Sequence, residues 1–368
     1  MPRPVRRKTR RILFSHEGTD YEHVQLVTEG PHGERVLLAR RHPPEGSPEL
    51  VVVKALSCRH PREALQRWRH EVWLASHLTH PGIARVLGHH PRASTSYTVS
   101  EFIEGRSLEK ALAYAALRGQ PLSEPLGLHV CAEVAGALHH AHTRVDALGQ
   151  PLGIVHRDVC PSNLRVSRGG EVKLINFNVA WSRLPAREPT PSSEAPRGDL
   201  VYAAPERLLP DGGHVPDARS DLFSLGLVLL ELLTGQHLYY LPALEKRLVH
   251  VLAGAGQASE LEELALRADS FRAEDVAQAV KPLAPAVQAV LRKLLRREVP
   301  ERHATGEALQ ADLRRCLQSL RPGYGAKQVA RELARLEAEV APLRYQAEAA
   351  GTFSEPPALP VSPEGDTP

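Results

Sequence analysis

The side chains that could do chemistry together lie between Ile154 and Asn178, in IVHRDVCPSNLRVSRGGEVKLINFN. A short apolar entry leads into a loop with His156, Arg157, Asp158 and Asn163. An alternating strand follows and ends in Asn176-Phe177-Asn178. Phosphoryl transfer asks for a carboxylate beside the attacking hydroxyl and for oxygen ligands on magnesium. Asp158 and Asn163, five residues apart on one loop, would supply both.

The elements that must position this loop are readable on either side of it. From Tyr21 the pattern is one of strands. HVQLVTEG and ERVLLAR flank GPHG at 30–33, which reads as a hairpin turn. ELVVVKAL is a β-branched strand carrying Lys54. In PREALQRWRHEVWLASHL, Leu65, Trp68, Val72 and Leu78 can share a helix face with Glu71 nearby, and Pro61 suits the helix start. IARVLG and SYTVSEFIEG read as two further strands, the second ending at Gly105. Beyond Gly105 the composition turns helical, with an apolar helix over Leu128–His142.

After the central loop, residues 181–197 hold four prolines and few apolar groups and read as a mobile loop. SDLFSLGLVLLELLTG opens on a capping Ser-Asp and closes at Gly235, the mark of a buried helix. Amphipathic helices are expected near 241–254, 285–297 and 305–320. Residues 325–350 form a charged helical stretch interrupted at Pro342, able to pack on the domain or on another chain. Strands first and helices after fit an α+β architecture of two lobes, with the break near Glu104-Gly105.

Composition sets outer bounds. Of 368 residues, 42% are hydrophobic and 24% charged, which suits a globular chain with a sizeable core. The net charge is +3, but residues 1–11 carry six basic and no acidic side chains, so the rest of the chain is net acidic and no specific nucleic-acid binder is expected. Residues 1–20 read as a basic disordered tail; the alternative is an electrostatic arm for anionic lipid, nucleic acid or an acidic partner. Residues 351–368 read as a Pro-rich disordered tail. Cys58, Cys131, Cys160 and Cys316 form no CxxC pair, so a reduced, cytoplasmic setting is expected, with neither disulfides nor a zinc site. No apolar run is long enough for a transmembrane segment. His139 with His142, and His77 with His80, lie close enough to consider for metal. No Cys or carboxylate spacing completes either set, and both are read as ordinary helix-face or capping histidines.

Taken in order, Lys54, Glu71, Asp158, Asn163, Ala204-Pro205-Glu206, Asp221 and Arg302 resemble the bacterial eukaryotic-like (Hanks-type) Ser/Thr protein kinases, over about residues 21–320. The resemblance implies a bilobal protein kinase-like fold, with a small β-rich lobe at 21–103 and a larger helical lobe at 104–320, followed by a helical extension at 321–350. It implies ATP and Mg2+ as cofactors. Lys54 would hold the α and β phosphates, and Glu71 would fix Lys54. Glu101 to Ile103 resemble the hinge whose backbone bonds adenine, Ser100 the residue at the back of that pocket, and Val36 and Val52 its apolar lining. In a G-x-G-x-x-G register, Gly30 and Gly33 fill the last two places and Thr28 the first. Asp158 resembles the catalytic base, with His156 supporting the loop by packing. Arg157 resembles the arginine of kinases whose activation segment is organised by a phosphate, for which Thr190, Ser192 and Ser193 are candidate acceptors. Asp221 resembles the buried aspartate that bonds the loop, and Arg302 the arginine that pairs with Glu206.

The departures from that pattern concern the metal. Asn176 stands where the family has the metal-binding aspartate, and Asn178 where it has glycine. Asn163 keeps its place as a ligand, while an amide at 176 brings no negative charge to a hard cation. Cys160 replaces a lysine that contacts the γ-phosphate in many relatives. The expected function is a nucleotide-binding or scaffold pseudokinase with a regulatory protein partner, its metal dependence weakened or absent, with Mn2+ an alternative ion. The alternatives are an active Ser/Thr kinase acting on protein hydroxyls and a scaffold that binds no nucleotide.

Overall fold

The computed structural model describes residues 10–29, 34–57, 62–92, 94–177, 179–183, 198–209, 217–254 and 259–349. Outside these lie Gly30 and Gly33, Cys58, Pro61, Asn178, the loop positions Thr190, Ser192 and Ser193, and most of both tails. The described chain divides into two compact units. One holds the residues up to Val72 together with Arg85–Phe102, and the other holds Trp73–Ala84 together with the residues from Ile103 onward.

The first unit is a sheet with one helix. Strands begin at Ile12 rather than Tyr21, so the expected tail over residues 1–20 already contains β1 (Ile12–His16) and the start of β2 (Thr19–Glu29). Glu17 and Gly18 both have positive φ, 46° and 74°, as a two-residue turn requires. Phe14 and Tyr21 stack at 4.3 Å and give this hairpin an apolar anchor that its basic flank conceals. β3 (Arg35–His42), β4 (Glu49–Ser57), α1 (Arg62–Ser76), β5 (Val86–Pro91) and β6 (Thr95–Glu101) follow. The sheet order is β1-β2-β3-β4-β6-β5, with every neighbouring pair antiparallel. Alternation along β4 sends Val51, Val53 and Ala55 into a core shared with Leu37, Ala39 and Val99.

The second unit is helical around a small sheet. β7 (Gly105–Ser107) leads into α2 (Leu108–Arg118) and α3 (Glu124–His142). The single alternating strand expected before Asn176 is a hairpin of β8 (Leu164–Ser167) and β9 (Val172–Leu174), because Gly170 turns the chain at φ 86°. β7, β8 and β9 form one sheet in that order. α4 (Pro205–Leu208) precedes α5 (Ala218–Thr234), whose cap is Asp217, one turn earlier than the Ser220-Asp221 pair the sequence suggested. Both of those residues are therefore buried inside the helix. Gly235 ends α5 at φ 67°, as expected.

α6 (Pro242–Gly254), α7 (Glu260–Ser270), α8 (Ala273–Ala279), α9 (Pro285–Leu294), α10 (Gly306–Leu320) and α11 (Ala326–Ala349) complete the unit. α11 runs through Pro342 without interruption. Pro342 and the Ala338 whose carbonyl it leaves unpaired are both exposed, so water can serve that carbonyl. The helix packs on α2 of its own unit, burying Val329, Leu333, Leu336 and Val340. Arg106 reaches the Leu333 carbonyl and Glu337, and Arg344 donates to the Tyr114 hydroxyl at 3.0 Å. No helix among the described residues is long and apolar enough to cross a membrane.

Candidate functional site

In the first unit, Lys54 Nζ donates to Glu71 Oε1 at 2.6 Å, with both groups mostly shielded from water. The register aligns the other candidates around Lys54. Val36 lies opposite Lys54 and Thr28 opposite Val36, while Ser100 lies opposite Val52. Cross-strand partners share a face, so Thr28, Val36, Val52, Lys54 and Ser100 line the face of the sheet opposite Val51, Val53 and Ala55. Glu101 does not join them: it pairs with Val51, and its carboxylate accepts from the Arg85 amide at 2.9 Å. Ile103 is buried in the second unit.

In the second unit, Asp158, Asn163 and Asn176 are in one hydrogen-bonded chain. Asn163 Nδ2 donates to Asp158 Oδ2 at 2.7 Å and to the Asp158 carbonyl at 2.8 Å. Asn176 Nδ2 donates to Asn163 Oδ1 at 3.1 Å. Asn176 holds φ 71°, a left-handed backbone that asparagine tolerates better than most residues. The oxygen of Asn163 that a cation would use thus already accepts a proton from the neighbouring amide.

The loop is suspended from α5. Asp221 Oδ2 accepts from the His156 amide and Oδ1 from the Arg157 amide, both at 2.8 Å, and Oδ2 also meets His142 Nε2 at 2.9 Å. Burial alone would raise the Asp221 carboxyl, but His142 and these amides hold it below the usual carboxylate range. His156 is fully buried, its Nδ1 accepting from the Asp158 amide and its Nε2 against the Ile175 carbonyl. Burial lowers its pKa, so it stays a neutral support, as expected. Arg302 clasps Glu206 through two bonds of 2.7 and 2.8 Å, as the sequence suggested.

Two residues near Asp158 escaped the sequence reading. The Asp199 amide donates to Asp158 Oδ1 at 2.7 Å. Gly198, at φ 89°, lies so close that a Cβ there would sit 2.7 Å from the same oxygen. The Asp199 carboxyl is raised by burial and by Asp158. Burial and Asp158 also push the Cys160 thiol up to about 12, so it is neither a thiolate nor a cation. The histidine pairs are structural: His142 serves Asp221, and His80 Nδ1 accepts from the Gly82 amide at 3.0 Å. Among the described residues no group of three or more His, Cys, Asp or Glu side chains is set to hold a metal ion.

The ordered contacts Lys54–Glu71, Asp158–Asn163, Asp221 on the loop and Arg302–Glu206 agree with the comparison of this chain to known families, in which residues 21–313 match the protein kinase domain. The chain belongs to the protein kinase family. Among curated relatives it is similar to tyrosine-protein kinase MasK of Myxococcus xanthus, 28% identical over 286 residues, which cover 74% of this chain and 43% of that protein. It is also similar to serine/threonine-protein kinase PknB of Mycolicibacterium smegmatis, 30% identical over 46% of this chain and 25% of the relative. Serine/threonine-protein kinase PrkC of Bacillus subtilis is 31% identical over 47% of this chain and 24% of the relative. The chain spans less than half the length of each of these relatives.

Protein kinase domains use ATP with magnesium. Asn163 and Asn176 offer neutral amide oxygens, and one of them is engaged by the other residue's amide.

Proposed function

We propose that this kinase domain binds a nucleotide with weakened dependence on metal, transfers phosphate poorly or not at all, and regulates a protein partner. The observation that carries this reading is the Asn176–Asn163 hydrogen bond at 3.1 Å. With aspartate at 176, two oxygens would face each other and a cation would be needed between them. With asparagine, the amide proton fills that role and the pair is content without a cation. Nucleotide binding is supported by the Lys54–Glu71 pair and by the alignment of Val36, Val52 and Ser100 on its face. In this reading Lys54 holds phosphate, the segment from Glu101 to Ile103 meets the base, and Asp158 keeps the geometry of a base with little left to activate.

Melting of the full chain with ATP, with and without magnesium or manganese, tests the binding half. A midpoint raised by ATP in EDTA, and raised no further by metal, is expected. The active-kinase alternative draws on the intact Asp158 and Lys54–Glu71. Sustained phosphorylation of protein hydroxyls by the purified chain, abolished in Asp158→Ala, would establish that alternative and end the proposal.

A further inference from the structure

α11 lies beyond residue 313, where the match to the kinase domain ends, yet it is fastened to the sheet that carries the two asparagines. β8 starts at Leu164, directly after Asn163, and β9 ends at Leu174, two residues before Asn176. The open end of this hairpin is tied by the Ile175 amide, which donates to the Asn163 carbonyl at 3.0 Å. Its closed end is the turn at Gly170. A Cβ there would sit 1.8 Å from the carbonyl oxygen of Ala326, the first residue of α11, so only glycine lets the helix start come down on the turn. β7, which pairs with β8, is held by the same helix: Arg106 Nη1 donates to the Leu333 carbonyl at 2.6 Å, and Nη2 to Glu337. α11 thus grips the turn and the outer strand of a sheet whose strands have three, four and three residues. A sheet so small has little stability of its own.

The two ends of α11 are not held alike. Val329, Leu333, Leu336 and Val340 are buried along its length. Past Val340, Leu343 and Tyr345 are 40% and 76% exposed, while Arg344 reaches the Tyr114 hydroxyl. Pro342 has no N–H to give to the Ala338 carbonyl, so the hydrogen-bond ladder of the helix is open at that turn. The helix is weakest at this far end, which is also the end most open to a binding partner. We propose that α11 is a strap: seated, it keeps the β7–β9 sheet and the Asn163–Asn176 pair in place, and it comes away from its Pro342 end to let them loosen. The physical link is the hairpin itself, a short rigid element gripped at one end and carrying the pair at the other. None of these contacts calls for a ligand, so the strap stands or falls apart from nucleotide binding.

The test is amide hydrogen exchange of the full chain, read by mass spectrometry, for the wild type, Glu337→Ala, Val329→Ala and Pro342→Ala. All three substitutions lie on α11 and none on the hairpin. Glu337→Ala releases Arg106, and Val329→Ala takes two methyl groups from a fully buried seat near Ala326. Both should speed exchange in α11 and, by about tenfold, in residues 164–176, with a smaller rise in α5 and α9. Pro342→Ala supplies the missing N–H and should slow exchange in α11 and in residues 164–176 together. Faster exchange in α11 with residues 164–176 unchanged overturns the strap. So does an equal rise in α5 and α9, which would mark a general loss of stability. Pro342→Ala without effect, or with a slowing confined to α11, overturns release from that end. Should Val329→Ala not fold, Glu337→Ala decides between the same outcomes.

Discussion

Asn176→Asp is the perturbation that reaches furthest into the site. The substitution keeps size and shape and exchanges one amide NH2 for an oxygen. It removes a hydrogen bond of 3.1 Å to Asn163 Oδ1 and sets a carboxylate oxygen against that oxygen, whose residue is 6% exposed. A lost hydrogen bond with its acceptor left unserved costs about 1–2 kcal/mol. In a domain of this size that is a fall of roughly 2–8 °C in the melting midpoint. The cost should exist only without metal. A cation held between the new carboxylate and the Asn163 amide oxygen would bind the folded state, and at a hundredfold excess over its dissociation constant would restore about 2.7 kcal/mol. The variant should therefore melt below wild type in EDTA and recover in millimolar magnesium, while the wild type ignores magnesium. Phosphotransfer, assayed alongside, should rise by about 10²–10³-fold if one electrostatic contact in the transition state is regained. A wild type stabilised by magnesium as strongly as the variant, or a variant blind to metal, would refute the account of the Asn163–Asn176 pair.

Four further outcomes are expected. Asp221 and Glu206 are both held below the usual carboxylate range, Asp221 against its burial by His142 and Glu206 against its burial by Arg302. The stability they contribute is full above the unfolded value of about 4 and is lost as pH falls through the folded values, so acid unfolding should set in below about pH 4; Arg302→Ala, which strands Glu206, should cost about 3–5 kcal/mol by urea titration at neutral pH. Leu333→Ala in α11 removes a side chain 3% exposed from the contact with α2 and should cost about 2–5 kcal/mol, a loss that a freely solvated extension would not show. Asp199 is shifted the other way, raised by burial and Asp158, so its ionised form opposes folding above the usual carboxylate range and the penalty vanishes below it. Asp199→Asn should then raise the melting midpoint at pH 7 by more than at pH 4; an equal rise at both would mean that charge is not the cause.

What the sequence disclosed and what it withheld follow from the kind of contact involved. Lys54–Glu71 and Glu206–Arg302 join charged side chains whose order along the chain resembles the protein kinase pattern, and that resemblance made both pairs legible. Asp199 was not, because its bond to Asp158 comes from a backbone amide, and every residue but proline has one. The cap of α5 was misplaced for a related reason: Asp217 and Ser220-Asp221 are equally good caps in sequence, and only burial tells which stands at the helix start. β1 was hidden by the positive charge of its flank, although Phe14 supplies the apolar residue that seats it. Arg165 passed unnoticed since an arginine in an alternating strand reads as its solvent side, whereas here it is buried. Pro342 reads as a break, yet packing by Val340 on one side and Arg344 on the other holds α11 through it.

The contacts that keep this kinase domain folded and those that would speed its chemistry fall on different residues. Arg302–Glu206, Asp221 beneath the loop and Lys54–Glu71 need no ligand, and all are present. Around Asp158 the balance is different. Cys160 is a neutral thiol, Asn163 and Asn176 are neutral amides, and Asp199 adds a second carboxylate within reach of Asp158. A phosphoryl group in transfer gathers negative charge, and one cation missing at about 4 Å forgoes roughly 4 kcal/mol at the effective dielectric of a protein surface. That is about 10³ in rate. On the proposed reading, Cys160 in place of the loop cation and Asn176 in place of the metal-gripping carboxylate would remove two such contributions, and Asp199 would work against what remains. On that reading the residues around Asp158 would give the transition state little that the bound ground state does not already have, and only that difference accelerates a reaction.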